Sequence, residues 1–281
     1  MHPDSPTGTP GPIEHRTVRH PLGVRHLTVT ATRPVTAAIT RVTLTGPELA
    51  GFTAEGPADH VKLLLPDPET GVVHTPFAAD GTRRTPDGPV IARDYTPLAH
   101  RPAAEGRPAE LDLDLVLHGD DGPASAWAAR AAVGDRLAVA GPRGSHLVPG
   151  GLGRLVLVVD ETAYPAAARW LRLTDPDLPV TLLLTTADPA SAGYFDGLTD
   201  RPDLVLETTV DPEPALRALG AVGPDTLVFL AGEAGTLIPL RRYLRRELGL
   251  PAAQVDASGY WKRDVVALDH HAPLDPSDPD D

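Results

Sequence analysis

Leu155-Val-Leu-Val-Val159 decides the fold of this chain. Five apolar residues without a polar break are what a strand buried on both faces requires. Runs of the same kind recur at 180–185, 204–209 and 226–231, with helical patterning near 163–173, 213–219 and 236–248 between and after them. The stretch 189–199 reads as helix or loop. Strand and helix alternating in this way predict a parallel α/β sheet. Just before the first run, Pro149-Gly-Gly-Leu-Gly153 is the best linker, and upstream of it the pattern changes. Residues 27–32 and 38–45 are Thr/Val-rich and alternating, and Leu111-Asp-Leu-Asp-Leu-Val-Leu-His118 alternates almost without error. With 61–65, 90–96 and 136–140 they predict antiparallel strands, and Ala126–Ala132 a short helix. A small antiparallel β-barrel is the natural closure. Residues 66–89, with five prolines, are a long excursion.

The expected fold class is therefore two-domain, β followed by α/β. Residues 14–148 are the barrel and 152–266 the α/β domain, and the polar residues 1–13 and the acidic, Pro-rich 267–281 are two tails expected to be disordered. The 281 residues exceed what one compact core usually fills. Cysteine is absent. That excludes disulfides, thiolate metal sites and a catalytic thiol, so redox chemistry would have to come from a bound organic cofactor. A net charge of −13 disfavours nucleic acid and anionic membranes as partners. There is no apolar leader and no run of 18 apolar residues, so a cytoplasmic protein is the expectation. The eleven histidines are scattered and give no metal site.

Four stretches carry candidate chemistry. In Ile91-Ala-Arg-Asp-Tyr-Thr96, alternation puts Arg93 and Tyr95 on one face and Asp94 and Thr96 on the other. If the strand bends after Tyr95, a guanidinium for a phosphate, a ring for stacking and a hydroxyl converge on one ligand. The same residues also suit a half-buried strand with one snorkelling arginine. Gly122-Pro-Ala-Ser125 ahead of Trp127 would offer free amides to a pyrophosphate, or simply cap a helix. Asp160-Glu-Thr162 follows the first parallel strand and Gly232-Glu-Ala234 a later one, where open sheets bind ligands. The arginines at 241, 242, 245 and 246 read as a solvated helix face.

Together these motifs resemble the siderophore-interacting protein family, flavin-dependent ferric-siderophore reductases related to the ferredoxin reductases. The resemblance runs from about Val24 to Arg263. It is carried by His60-Val-Lys-Leu-Leu-Leu-Pro66, Arg93-Asp-Tyr-Thr-Pro97, Leu115-Val-Leu-His-Gly119 with Gly122-Pro-Ala-Ser-Ala-Trp-Ala128, Gly134-Asp-Arg-Leu137 and Ala140-Gly-Pro-Arg-Gly-Ser145. In the second domain it continues with Asp160-Glu-Thr-Ala-Tyr-Pro-Ala166, Ala231-Gly-Glu-Ala234 and Ser258-Gly-Tyr-Trp-Lys-Arg263. It implies FAD on Arg93, Asp94, Tyr95, Thr96, His118, Gly122, Pro123, Ala124, Ser125 and Trp127. It implies NADH or NADPH on Asp160, Glu161, Thr162, Gly232, Glu233 and Ala234. Lys62, Arg143, Lys262 and Arg263 would form the basic surface meeting an anionic ferric chelate. Lys62 and Lys262 are the only lysines, and both fall inside these motifs, by chance or because a compact charge is wanted there.

The implied activity passes electrons from NAD(P)H, or a ferredoxin, through FAD to Fe³⁺ in a siderophore. A flavin-binding enzyme of the same fold turned to biosynthesis is the second reading, and a non-catalytic siderophore carrier the third. The chain departs from the family at three places. Leu98 stands where many members have arginine, Val159 where a glycine usually precedes the Asp-Glu-Thr, and Asp264 where glycine usually follows the Trp-Lys-Arg.

Overall fold

The computed structural model describes residues 12–78, 81–118, 122–266, 268 and 273–278. Its first half holds β1 (Thr17–Arg19), β2 (Val24–Pro34), β3 (Ile39–Thr45), β4 (Val61–Leu65), β5 (Ile91–Tyr95), β6 (Pro97–Arg101), β7 (Glu110–Val116), α1 (Pro123–Ala128), β8 (Arg136–Ala140) and β9 (Gly144–His146). Seven of these strands form one antiparallel sheet in the order β5-β4-β8-β2-β3-β7-β6. β5 and β6 are the two edges of that sheet, yet they are consecutive in the chain, separated only by Thr96. The bend at Thr96 therefore joins edge to edge and closes the barrel. Alternation along the strands sends Val29, Leu44, Leu63, Leu113 and Leu137 inward, where Trp127 of α1 fills the end of the core. α1 starts at Pro123, ahead of the expected 126, because proline pre-sets the first helical turn.

The second half holds β10 (Arg154–Val159), α2 (Tyr164–Leu173), β11 (Val180–Thr185), β12 (Leu204–Thr209), α3 (Pro212–Ala218), β13 (Thr226–Glu233), α4 (Ala234–Arg242) and β14 (Val255–Trp261). The strands pair in parallel in the order β12-β11-β10-β13-β14. Within the ambiguous stretch 189–199, Pro189–Phe195 is a 3₁₀ helix. The helix expected to run to 248 is α-helical only to Arg242 and widens into a π turn over 243–247.

An apolar cluster spans both halves. Ile39 and Leu98 of the barrel pack with Leu155, Leu157, Trp170, Phe195 and Phe229 of the α/β half. Leu98 is 2% exposed. Leu98, an expected departure from the family pattern, is here part of the seam's core. Val159 is likewise buried, in the last rung of β10.

Both expected tails differ where they are described. Ile13 is buried in the cluster between the halves, and Glu14 bridges to Gly150. At the other end, Arg242 donates to Asp275 at 2.6 Å and Arg241 to Asp278 at 2.9 Å, while Leu274 packs on the core beneath α4. Arginines that read as a solvated face thus supply counter-charge to the acidic segment, which the expectation of disorder left out. The remaining tail residues lie outside the described set.

Candidate functional site

The bend at Thr96 organises the site. Ile91 and Tyr95 face the barrel interior with Arg93 between them, whereas Ala92 packs on the outer cluster and Asp94 pairs with Lys62 at 3.0 Å. Tyr95 and Asp94 thus part to opposite faces as expected, while Thr96 lies past the end of β5, at the bend. This division also separates two residues from the rest: Asp94 is spent on Lys62, and Lys62 on Asp94, so neither brings a free charge to a ligand. Arg93 donates Nη1 to the Ala92 carbonyl at 2.7 Å and has no carboxylate partner among the described residues. Burial pushes the Tyr95 phenol up to about 12, and nearby Arg93 offsets part of that, so the ring is neutral.

Thr96 is buried, and its side chain is hydrogen-bonded to the Tyr260 hydroxyl at the end of β14. The next residue is held from the same side. Arg169 of α2, 8% exposed, donates Nη1 to the Pro97 carbonyl at 3.0 Å, Nη2 to Ala54 at 2.7 Å, and Nε and Nη2 to Gly56 at 3.1 and 2.7 Å. Asp59 lies close to this cation. Its carboxylate accepts from Ser145 Oγ at 2.5 Å and from the Gly56 amide at 3.0 Å. A further tie crosses the seam where the Tyr194 hydroxyl donates to Asp114 at 2.6 Å. Sequence reading missed Arg169, Tyr260 and Tyr194. A cation inside the apolar face of α2 was the one visible signal.

Beyond β7, the His118 ring lies over Gly122, where an added Cβ would meet Cε1 at 2.5 Å. The His118 amide donates to Ser125 Oγ at 2.9 Å. Ser125 therefore closes its own loop rather than pointing a hydroxyl outward. Ala124 is buried and Trp127 is 4% exposed, both in the barrel core, so they seat α1 and offer no face to a ligand. Gly122 and Pro123 remain at the helix start.

At the carboxyl ends of the parallel strands, Asp160 is the hub. Its Oδ1 accepts from the Thr162 amide at 2.9 Å and hydroxyl at 2.5 Å; Oδ2 accepts from the Glu233 amide at 2.9 Å and Trp261 Nε1 at 2.8 Å. Burial pushes its carboxyl above the usual range, and these donors oppose that. Gly232, at φ 146°, lets this carboxylate sit 2.5 Å from where a Cβ would be. Glu233 caps α4, with Oε2 accepting the Thr236 amide at 2.7 Å, and Oε1 accepts the Arg263 amide at 3.2 Å. Ala234 is buried beneath Gly259, and Glu161 stands half-buried beside Thr162.

The basic residues fall in two places. Lys62 opposes Ala140, so Lys62 and exposed Arg143 share the Thr96 end of the barrel. Exposed Lys262 and Arg263 follow β14, where the Val265 amide closes a turn on the Lys262 carbonyl at 3.1 Å. That turn holds Asp264 at φ 61°, a left-handed conformation that glycine adopts at less cost.

The site fits a flavin on the barrel side. A half-buried guanidinium with no carboxylate partner among the described residues, a neutral ring and a buried hydroxyl meet at one bend. Comparison with known proteins agrees. Residues 28–146 match the model of the siderophore-interacting FAD-binding domain, and residues 153–264 that of the siderophore-interacting protein. The chain is 34% identical over 251 residues to the NADPH-dependent ferric-chelate reductase of Escherichia coli, covering 87% of this chain and 95% of that one. It is 27% identical over 249 residues to the ferric vibriobactin reductase of Vibrio cholerae, covering 82% and 86%. A solved siderophore utilization protein from T. fusca superposes with a TM-score of 0.79 at 36% identity, covering 92% of this chain and all of that one. The chain belongs to the siderophore-interacting protein family.

Proposed function

We propose that the protein is an FAD-dependent ferric-siderophore reductase fed by a reduced nicotinamide. The observation that carries this reading is the grip on the Thr96 bend by Tyr260 and Arg169. It brings the flavin side of the barrel and the carboxyl ends of β13 and β14 to one seam. Bound FAD converts a two-electron hydride donor into one-electron steps for iron, which neither nicotinamide nor these side chains can do.

The chain's own residues bind and orient. Arg93 and the amides after Gly122 would take the pyrophosphate, Tyr95 would support the ring system, and Thr96, oriented by Tyr260, would face its heteroatom edge. Asp160, Thr162 and Glu233 shape the floor on which the donor would lie. Arg143, Lys262 and Arg263 are the exposed cations that would meet an anionic chelate, with Lys62 already neutralised by Asp94. Reduction to Fe²⁺ weakens its hold on hard oxygen ligands, so no protein ligand for iron is needed. This reading goes with a cytoplasmic protein, because the nicotinamide pool it draws on is there. A ferredoxin is the alternative donor.

The test is anaerobic. FAD-loaded protein is mixed with NADH or NADPH, a ferric siderophore and a Fe²⁺ trap. Bleaching of the flavin and two trapped Fe²⁺ per nicotinamide are expected. A flavin that dithionite reduces, but that no ferric chelate reoxidises, would overturn the reading and favour the biosynthetic one.

A further inference from the structure

The strand order β12-β11-β10-β13-β14 is 3-2-1-4-5 in chain order, with its reversal between β10 and β13. A dinucleotide on such a sheet straddles the reversal, its adenosine half lies over the first and second strands, and an acid past the second strand reads the ribose 2′-hydroxyl. Here the second strand is β11, and Asp188 lies three residues beyond its end. One oxygen of Asp188 accepts the Ala190 amide at 3.0 Å; the other has no described partner, and the residue is exposed.

The neighbouring loop repeats the arrangement. Asp211 follows β12 and accepts the Glu213 amide at 3.1 Å, and the two loops are tied by the Thr186 amide donating to the Thr209 carbonyl at 2.8 Å. In 185–191 and 209–215 the charged residues are Asp188, Asp211 and Glu213, all acids. Lys262 and Arg263 stand past β14, on the opposite edge of the sheet from β12.

We infer that the protein takes NADH in preference to NADPH, with Asp188 reading the ribose 2′-hydroxyl and Asp211 adding to the repulsion of a 2′-phosphate. This rests on the nicotinamide-fed reading above, and it parts this chain from the NADPH-dependent relative. The nearest rival is a cleft of about 370 Å³ lined by Arg33, Arg41 and Arg172. There Arg41 is already bound to Asp114 by two bonds of 2.6 and 2.7 Å, and Asp196 shares the wall, so its cations are partly spent.

The test is the ratio of kcat/KM for NADH over NADPH, read from anaerobic flavin reduction at fixed salt. A ratio above about tenfold is expected, since a dianion would face two exposed carboxylates. Asp188→Asn keeps the turn, because asparagine caps equally well. It should lower the ratio by about fivefold, through a higher KM for NADH and a lower one for NADPH; Asp211→Asn should lower it less. A general loss of folding would cancel in the ratio. Equal use of both nicotinamides, a preference for NADPH, or an unchanged ratio in Asp188→Asn would overturn the inference. If neither nicotinamide reduces the flavin while dithionite-reduced protein still reduces ferric chelates, this inference falls and the reductase stands. If NADH is preferred but no chelate accepts electrons, the inference stands and the reductase falls.

Discussion

Replacing Arg169 with methionine tests how the two halves hold the bend. The guanidinium serves three carbonyls, those of buried Gly56 and Pro97 and of half-buried Ala54, through four contacts of 2.7 to 3.1 Å. Methionine keeps the length and apolar body of the side chain but leaves all three acceptors without a donor. Each orphaned acceptor costs about 1–3 kcal/mol, about 6 for the three, and removing a buried cation returns roughly half of that. A net loss of about 3 kcal/mol follows. Arg169→Lys can serve one or two of the three and should lose about 2 kcal/mol. Because Pro97 adjoins Thr96, FAD affinity should fall with stability, by roughly tenfold for methionine, about 1.4 kcal/mol of lost bend order. Urea unfolding gives the first quantity and FAD titration the second. A methionine variant within 0.5 kcal/mol of the parent, a scatter typical of surface changes, with unaltered FAD affinity, would refute the argument that this cation holds the bend.

Introducing a cation by Leu98→Arg should destabilise by at least about 3 kcal/mol, because the side chain is in the seam's core; urea unfolding decides, and a neutral effect would mean that the position opens to solvent. Asp264→Gly should be neutral or stabilise by up to about 1 kcal/mol, whereas Asp264→Val should cost about 1–2, since a β-branched residue tolerates φ 61° poorly. Equal melting of the glycine and valine variants would count against a left-handed turn. For Glu233, burial pushes the carboxyl up, but the amides of Arg263, Thr236 and Gly235 outweigh it and hold the group below its usual range. Its contribution is then present above the unfolded-state value near 4.5 and is lost as pH falls through the lower folded value. The stability gap between the parent and Glu233→Gln should narrow between pH 5 and pH 3, and a pH-independent gap would contradict this.

The strands with strong periodicity were legible. β4, β8, β11 and β12 have the bounds expected of them, because each is a short apolar or alternating run stopped by turn residues. β14 was not legible: Val-Asp-Ala-Ser-Gly-Tyr-Trp carries polar and small residues along a half-exposed sheet edge, so neither periodicity is strong. β6 hid behind Pro97, which reads as a stop, although here it marks the corner of the barrel. Local pattern found the pieces of the site, Arg93, Tyr95, Thr96, Asp160 and Glu233. It could not show Asp94 turning away to Lys62, or Trp127 entering the core. Those outcomes depend on partners more than 30 residues away, as do the Arg169 and Tyr260 contacts.

The apolar cluster between the halves bears on how the protein works over time. Domains joined by small polar interfaces move by default, and many two-domain enzymes open and close around each turnover. Here Leu98, Ile39, Trp170 and Phe229 fill the seam, and Arg169, Tyr194 and Tyr260 stitch it. Opening it would expose that core and strand a buried guanidinium. These contacts resist parting of the two halves, so the shape of the mouth between them is set when the chain folds. Turnover then rests on the arrival and departure of mobile small molecules at a fixed mouth, so its rate should respond to solvent viscosity and salt rather than to any hinge.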